Sequence, residues 1–90
     1  MSVTLKEMKN YLRVDFAEDN KLIEMLITSA EHLCVDILRC ELNNLYEIEN
    51  GKAAVMYAVN YMYEHRTDAD YHALMLSLRS LLHSSRNEAF

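Results

Sequence analysis

Apolar side chains recur along the chain at intervals of three and four residues, the pattern of helices with one buried face, and four segments carry it. The first covers residues 5–12, with Leu5, Met8, Tyr11 and Leu12 at helical spacing. Thr4 and Glu7 form a capping box ahead of it, in which hydroxyl and carboxylate each satisfy a free N–H at the helix start. Arg13, Val14 and Asp15 read as a brief connector. The second helix covers residues 17–39, starting at Phe16 or Glu18, and its stripe of Leu22, Ile23, Leu26, Ile27, Ala30, Leu33, Cys34, Ile37 and Leu38 is roughly 160° wide. Asp15 with Glu18 repeats the cap geometry, and Asp19 adds negative charge at the positive end of the helix dipole. The opposite side holds Glu24, Thr28, Glu31, His32 and Asp36, together with Met25 and Val35, which the stripe does not explain.

The third helix, residues 51–66, differs in kind. Ala53, Ala54, Val55, Met56, Tyr57, Ala58, Val59, Tyr61, Met62 and Tyr63 point all round its axis, leaving Asn60 and Glu64 as its one polar seam. A helix that is apolar all round is expected to be buried all round, and three short neighbours are too few to cover it. That surplus is a first argument for a partner chain. Residues 41–50, with Asn43, Asn44 and Asn50 among Leu42, Leu45, Tyr46 and Ile48, read as a loop that caps the core, Asn50 serving as N-cap for the central helix. Thr67, Asp68 and Asp70 supply break and cap for a last helix over 69–83, with Tyr71, Leu74, Met75, Leu78, Leu81 and Leu82 inward and Leu76 off the stripe. Residues 84–90 lack periodicity and are expected to be a mobile tail. The expected fold is therefore all-α, one domain over 1–90 built as a small bundle of about four helices.

Composition sharpens this reading. The chain has 90 residues, 51% of them hydrophobic, with no Pro and one Gly, which favours helices over hairpins. At this length folding removes only about 64% of the accessible surface, so a lone core is marginal. No long uncharged apolar run spans a membrane and no signal-peptide pattern opens the chain, so a cytosolic setting is the default expectation. The net charge of −5 is uneven: +2 over residues 1–14, −7 over 15–49 and zero over 50–90. Clustered Lys and Arg, which phosphate neutralisation requires, are missing, and sequence-specific DNA binding is a poor fit.

Catalytic and metal chemistry find little support. Cys34 and Cys40 match neither a zinc pair nor a redox motif, and Cys34 falls on the apolar stripe as a buried free thiol. His32 and Cys34 point about 200° apart on one helix. Glu64, His65 and His72 straddle a predicted turn and would meet at a metal only by accident of packing. Tyr57, Tyr61 and Tyr63 spread over several directions without a basic groove, which suits core or interface rather than base stacking. No enzyme, catalytic residue, metal or cofactor is expected.

Thr4 to Ile37 resembles the opening of the phage head-tail connector family, the gp6-like adaptors of long-tailed bacteriophages and prophages. The resemblance rests on Leu5, Glu7, the YLRVD block at Tyr11 to Asp15, the acids after it, and the Leu22-Ile23, Leu26-Ile27, Ala30 series. Two further blocks follow in family order: an apolar helix ending in Tyr63, Glu64, His65 and Arg66, and Leu81-Leu82-His83-Ser84-Ser85-Arg86. The resemblance implies a structural virion-neck protein, assembled in the host cytoplasm. It implies a ring of copies, a dodecamer by family likeness, under the portal protein. The ring would meet a downstream neck or tail-completion protein, continue the DNA channel and touch DNA only in non-specific passage.

On this reading Met25, Val35 and Leu76 are oligomer-interface candidates. Glu24, Glu31 and Asp36 are candidates to face the lumen, where negative walls avoid gripping phosphate. Arg86 and Phe90 are candidates for portal contact, as ion-pairing group and apolar anchor. The competing reading is a small acidic helical regulator that masks a host or phage protein by helix packing.

Overall fold

The computed structural model describes residues 2–84, and in this range the chain forms five helices and no strand. They are α1 (Leu5–Leu12), α2 (Asn20–Leu38), α3 (Leu42–Glu47), α4 (Gly51–Glu64) and α5 (Tyr71–Ser84). α1 begins where the capping box places it: Thr4 Oγ1 accepts from the Glu7 N–H at 3.1 Å, and Glu7 Oε1 accepts from the Thr4 N–H at 3.0 Å. α1 and α2 both stop on an arginine in the left-handed region, Arg13 at φ 63° and Arg39 at φ 53°. There the Val14 N–H reaches back to Lys9 O and the Cys40 N–H to Val35 O, closing the free carbonyls as a terminal glycine usually does.

α2 and α4 run antiparallel and pack more extensively on each other than any other pair, while α5 packs on both and α1 on both. The reason lies in α4, whose buried row is Gly51, Ala54, Val55, Ala58, Val59 and Met62. Mostly small side chains at i, i+3, i+4 and i+7 let the α2 axis come close. Against this row α2 buries Ile23, Ile27, Ala30, Cys34 and Leu38, and α5 adds Leu74, Leu78 and Leu82. Each fully buried Leu or Ile contributes about 1.5–3 kcal/mol of transfer free energy.

Several expectations are corrected. α2 starts at Asn20 rather than 17, because Phe16 to Asp19 form a bend and turn. The Asp15–Glu18 cap does not form there. Asp19 occupies the cap position, but its carboxylate accepts instead from the Tyr63 hydroxyl at 2.6 Å. Residues 41–50 are not a loop throughout: Leu42–Glu47 is a helix, closed over the core by buried Leu45 and Tyr46. Asn50 precedes α4, yet its side chain donates to Leu81 O rather than capping the helix. α4 ends at Glu64, two residues early. α5 starts at Tyr71 rather than 69 and reaches Ser84, with Asp70 Oδ1 accepting from the Ala73 N–H as its cap.

The central helix is not buried all round. Ala53, Tyr57 and Glu64 are exposed, and Tyr61 and Tyr63 lie on its flanks with their hydroxyls engaged at the rim. Tyr71, expected inward, is exposed at the first turn of α5 beside a shallow groove lined by Leu26, Leu33 and Met62. Residues 85–90, most of the expected tail, lie outside the described range.

Gly51 holds the junction of α3 and α4. A Cβ there would sit 1.9 Å from the Leu45 carbonyl oxygen, a backbone atom that cannot swing aside. Alanine elsewhere in a helix is favoured over glycine by about 1 kcal/mol. Here Gly51→Ala is expected to destabilise by about 1–3 kcal/mol through overpacking. Thermal unfolding followed by circular dichroism should show the melting point falling by roughly 4–8 °C per kcal/mol.

Candidate interaction surfaces

With the core fixed, the residues singled out from the sequence separate into those at the surface and those tied inside. Glu24 and Asp36 are exposed on α2. Glu31 is not free to face solvent in the same way: its Oε2 accepts a 2.5 Å hydrogen bond from the Tyr46 hydroxyl, which ties α3 to α2. Burial, reinforced by that carboxylate, pushes the Tyr46 hydroxyl well above the ordinary tyrosine range. Met25 is 66% exposed and Leu76 56% exposed, as their off-stripe positions require. Val35 is half-buried and packs against the core. Arg86 and Phe90 lie outside the described residues.

The structure also exposes further apolar groups. Tyr11, expected on the inner side of α1, is exposed at that helix's end. Phe16, expected at the start of α2, stands in the turn before it, 48% exposed, with Asp15, Ala17 and Glu18 exposed around it. Leu42 is exposed at the start of α3. The signal that would have revealed Phe16 is Asp15 directly ahead of it, a residue type that favours turns.

Polar ties hold the two flanks of α4. On one side the Lys52 ammonium meets Glu7 Oε2 of α1 at 2.5 Å. On the same side the Tyr63 hydroxyl reaches Asp19, and the Arg66 guanidinium lies over the Tyr63 ring at 4.8 Å and 3.9 Å from the same Asp19. The bond to Asp19 raises the Tyr63 hydroxyl above its usual range, with burial adding to it. On the other side the Tyr61 hydroxyl accepts from the Asp70 N–H at 2.8 Å, fixing the start of α5, and its ring stacks on His65 at 4.3 Å. Tyr61 lies about 160–180° round the helix from Tyr63 and Lys52. α1 and α5 therefore flank opposite edges of the α2–α4 pair.

Among the described residues no group of three or more His, Cys, Asp or Glu is placed to hold a metal ion, and no helix is long and apolar enough to cross a membrane. His65 pairs with Asp68 at 3.4 Å across the turn rather than meeting His72. Cys34 and Cys40 are both free thiols. What the arrangement offers is surface: an acid-bearing outer side on α2, two opposed edges, and isolated apolar side chains between them.

The sequence model of the family described as phage gp6-like head-tail connector protein matches residues 2–83, nearly the whole chain. The chain belongs to that family. No curated protein and no solved structure matches it. The match covers all five helices of this connector, including α3, and stops one residue short of the end of α5. The family is a structural one.

Two outcomes test the connector's local chemistry. Burial pushes the Cys34 thiol up to about 12, and Cys40 is only half-buried. Alkylation of the folded protein at pH 8, read by mass spectrometry, should label Cys40 and spare Cys34, because only a thiolate reacts. The second concerns Glu7, whose carboxyl is held below the usual value by Lys52 first and the Thr4 N–H second. A carboxylate depressed in the folded state stabilises above its unfolded value, about 4.3, and loses that stabilisation as pH falls through the folded value. Lys52→Met should therefore weaken the fall in melting temperature between pH 5 and roughly pH 3 relative to the parent protein.

Proposed function

We propose that the protein is a component of the virion neck that assembles with further copies into a closed ring beneath the portal, continues the DNA channel and offers the surface on which the next neck or tail protein docks. The observation that carries this reading is membership of the head-tail connector family over residues 2–83. Exposed Phe16, Met25, Tyr71 and Leu76 lie on different helices or their connections and are available to contacts in the ring.

In the ring the outer side of α2 faces the lumen, with Glu24 and Asp36 on the wall. Glu31 contributes its charge from behind, anchored by Tyr46. A wall that repels phosphate lets DNA slide, whereas a basic wall would hold it through counterion release. Arg86 and Phe90 are assigned to the portal contact.

Electron microscopy of the protein alone and mixed with the portal ring of the same phage tests the proposal. Closed rings coaxial with the portal are expected, with α2 lining the bore. Heterodimers with an unrelated protein, and no ring in either sample, would instead favour the small regulator and remove the connector reading. A ring with Glu24 and Asp36 on its outer wall would overturn the lumen assignment alone.

A further inference from the structure

The charge of +2 over residues 1–14 comes from three cations, Lys6, Lys9 and Arg13, and one acid, Glu7. In the folded chain the acid is spent: Glu7 is turned to Lys52 of α4 and to the Thr4 N–H. The cations are not. The ion pairs among the described residues are those of Lys52 with Glu7, His65 with Asp68 and Arg66 with Asp19, and none involves Lys6, Lys9 or Arg13. Lys6, Lys9 and Asn10 stand at i, i+3 and i+4 and share one face of α1, about 100° round the helix from Glu7. On that face lies a groove of about 340 Å³ lined by Leu5, Lys6, Lys9, Asn10, Val14 and Asp15. Leu5 and Val14 pack on the core and give the groove its apolar part, while Asp15 is exposed at the connector end.

Arg13 adds an independent observation. It closes α1 in the left-handed region, at φ 63°, with its side chain exposed. A side chain there costs stability that glycine would not, because its Cβ crowds the backbone, and attraction to the helix dipole returns only part of that. An exposed, unpaired guanidinium kept at a strained position suits a group whose counter-charge lies outside the subunit.

We infer that this groove is a docking site for an acidic peptide segment of another protein, with carboxylates on Lys6, Lys9 and Arg13 and an apolar side chain on Leu5 and Val14. Lys6 to Arg13 covers about 10 Å along the helix, the length of a short segment bearing two or three carboxylates. A continuous phosphate backbone fits worse: it would meet Asp15 at the groove's end and exposed Glu18 beyond, and the chain's net charge of −5 opposes a long polyanion. The inference goes beyond the ring reading and holds for the single subunit.

Fluorescence polarisation tests it with three labelled probes: a short peptide of alternating glutamate and leucine, its glutamine counterpart, and a short DNA duplex. The glutamate peptide is expected to bind and to weaken with rising salt, its glutamine counterpart binding about tenfold less tightly. Lys6→Gln combined with Lys9→Gln should weaken binding about tenfold, and Asp15→Asn should tighten it about twofold by removing the one acid in the groove. Arg13→Gly should weaken binding several-fold while the melting temperature stays level or rises, which separates a contact from a structural role.

Binding of the peptide that ignores the Lys6 and Lys9 substitutions would place the contact elsewhere and overturn the inference. Preference for the DNA duplex would make the stripe a nucleic-acid site and overturn it, as would binding of none of the probes. Self-association that the combined Lys6 and Lys9 variant abolishes, without peptide binding, would assign the groove to a second copy and overturn it too.

Discussion

The close approach of α2 to α4 is the constraint on which the rest depends. α4 buries a row of Ala54, Val55, Ala58 and Val59, and α2 buries Ala30 and Cys34 among its larger Ile and Leu side chains. Small residues shorten the distance between axes, and a shorter distance brings the long side chains on either flank within reach of their partners. Lys52, Tyr61 and Tyr63 sit on those flanks and reach Glu7, Asp70 and Asp19. Packing sets the positions, and polar ties then lock α1, the connector before α2 and the start of α5 to the pair. Gly51 serves the same end at the other extreme of α4, because only a residue without Cβ fits against the Leu45 carbonyl.

This arrangement explains why an apolar helix does not need burial on every side. Tyrosine gives α4 apolar area without requiring a dry position, since its ring lies along the rim while its hydroxyl finds a hydrogen-bond partner. The surplus of apolar surface therefore shifts from the central helix to its neighbours. It appears as separate exposed side chains, Met25 and Leu76 foremost.

Charge follows the same division. The acids of α2 are spent in two ways: Glu31 binds the buried Tyr46 hydroxyl and holds α3 in place, while Glu24 and Asp36 stay in solvent. Asp19, at the start of the helix, is taken by Tyr63 and Arg66. An acidic run that looks uniform along the chain thus contains both structural ties and free surface charge, and only the free part is available to a channel or a neighbour.

Local patterns were enough for the all-α class, the capping box of α1, the buried stripe of α2, the inward Leu74, Leu78 and Leu82, the exposed Met25 and Leu76, and the family itself. All but the family depend on residues three or four apart, where helical geometry alone decides who meets whom, and the family is carried by the order of short blocks along the chain. The start of α2, the helix at 42–47, the use of Glu31 and the exposure of Phe16 and Tyr71 were decided by contacts between residues far apart in the chain. Asp19 gave up capping because Tyr63, 44 residues away, competes for its carboxylate. Leu45 and Tyr46 became helical because the core offered them burial against α2 and α4. Periodicity records which side of a helix is apolar, but which polar group takes which partner depends on distances that exist only once the helices are packed.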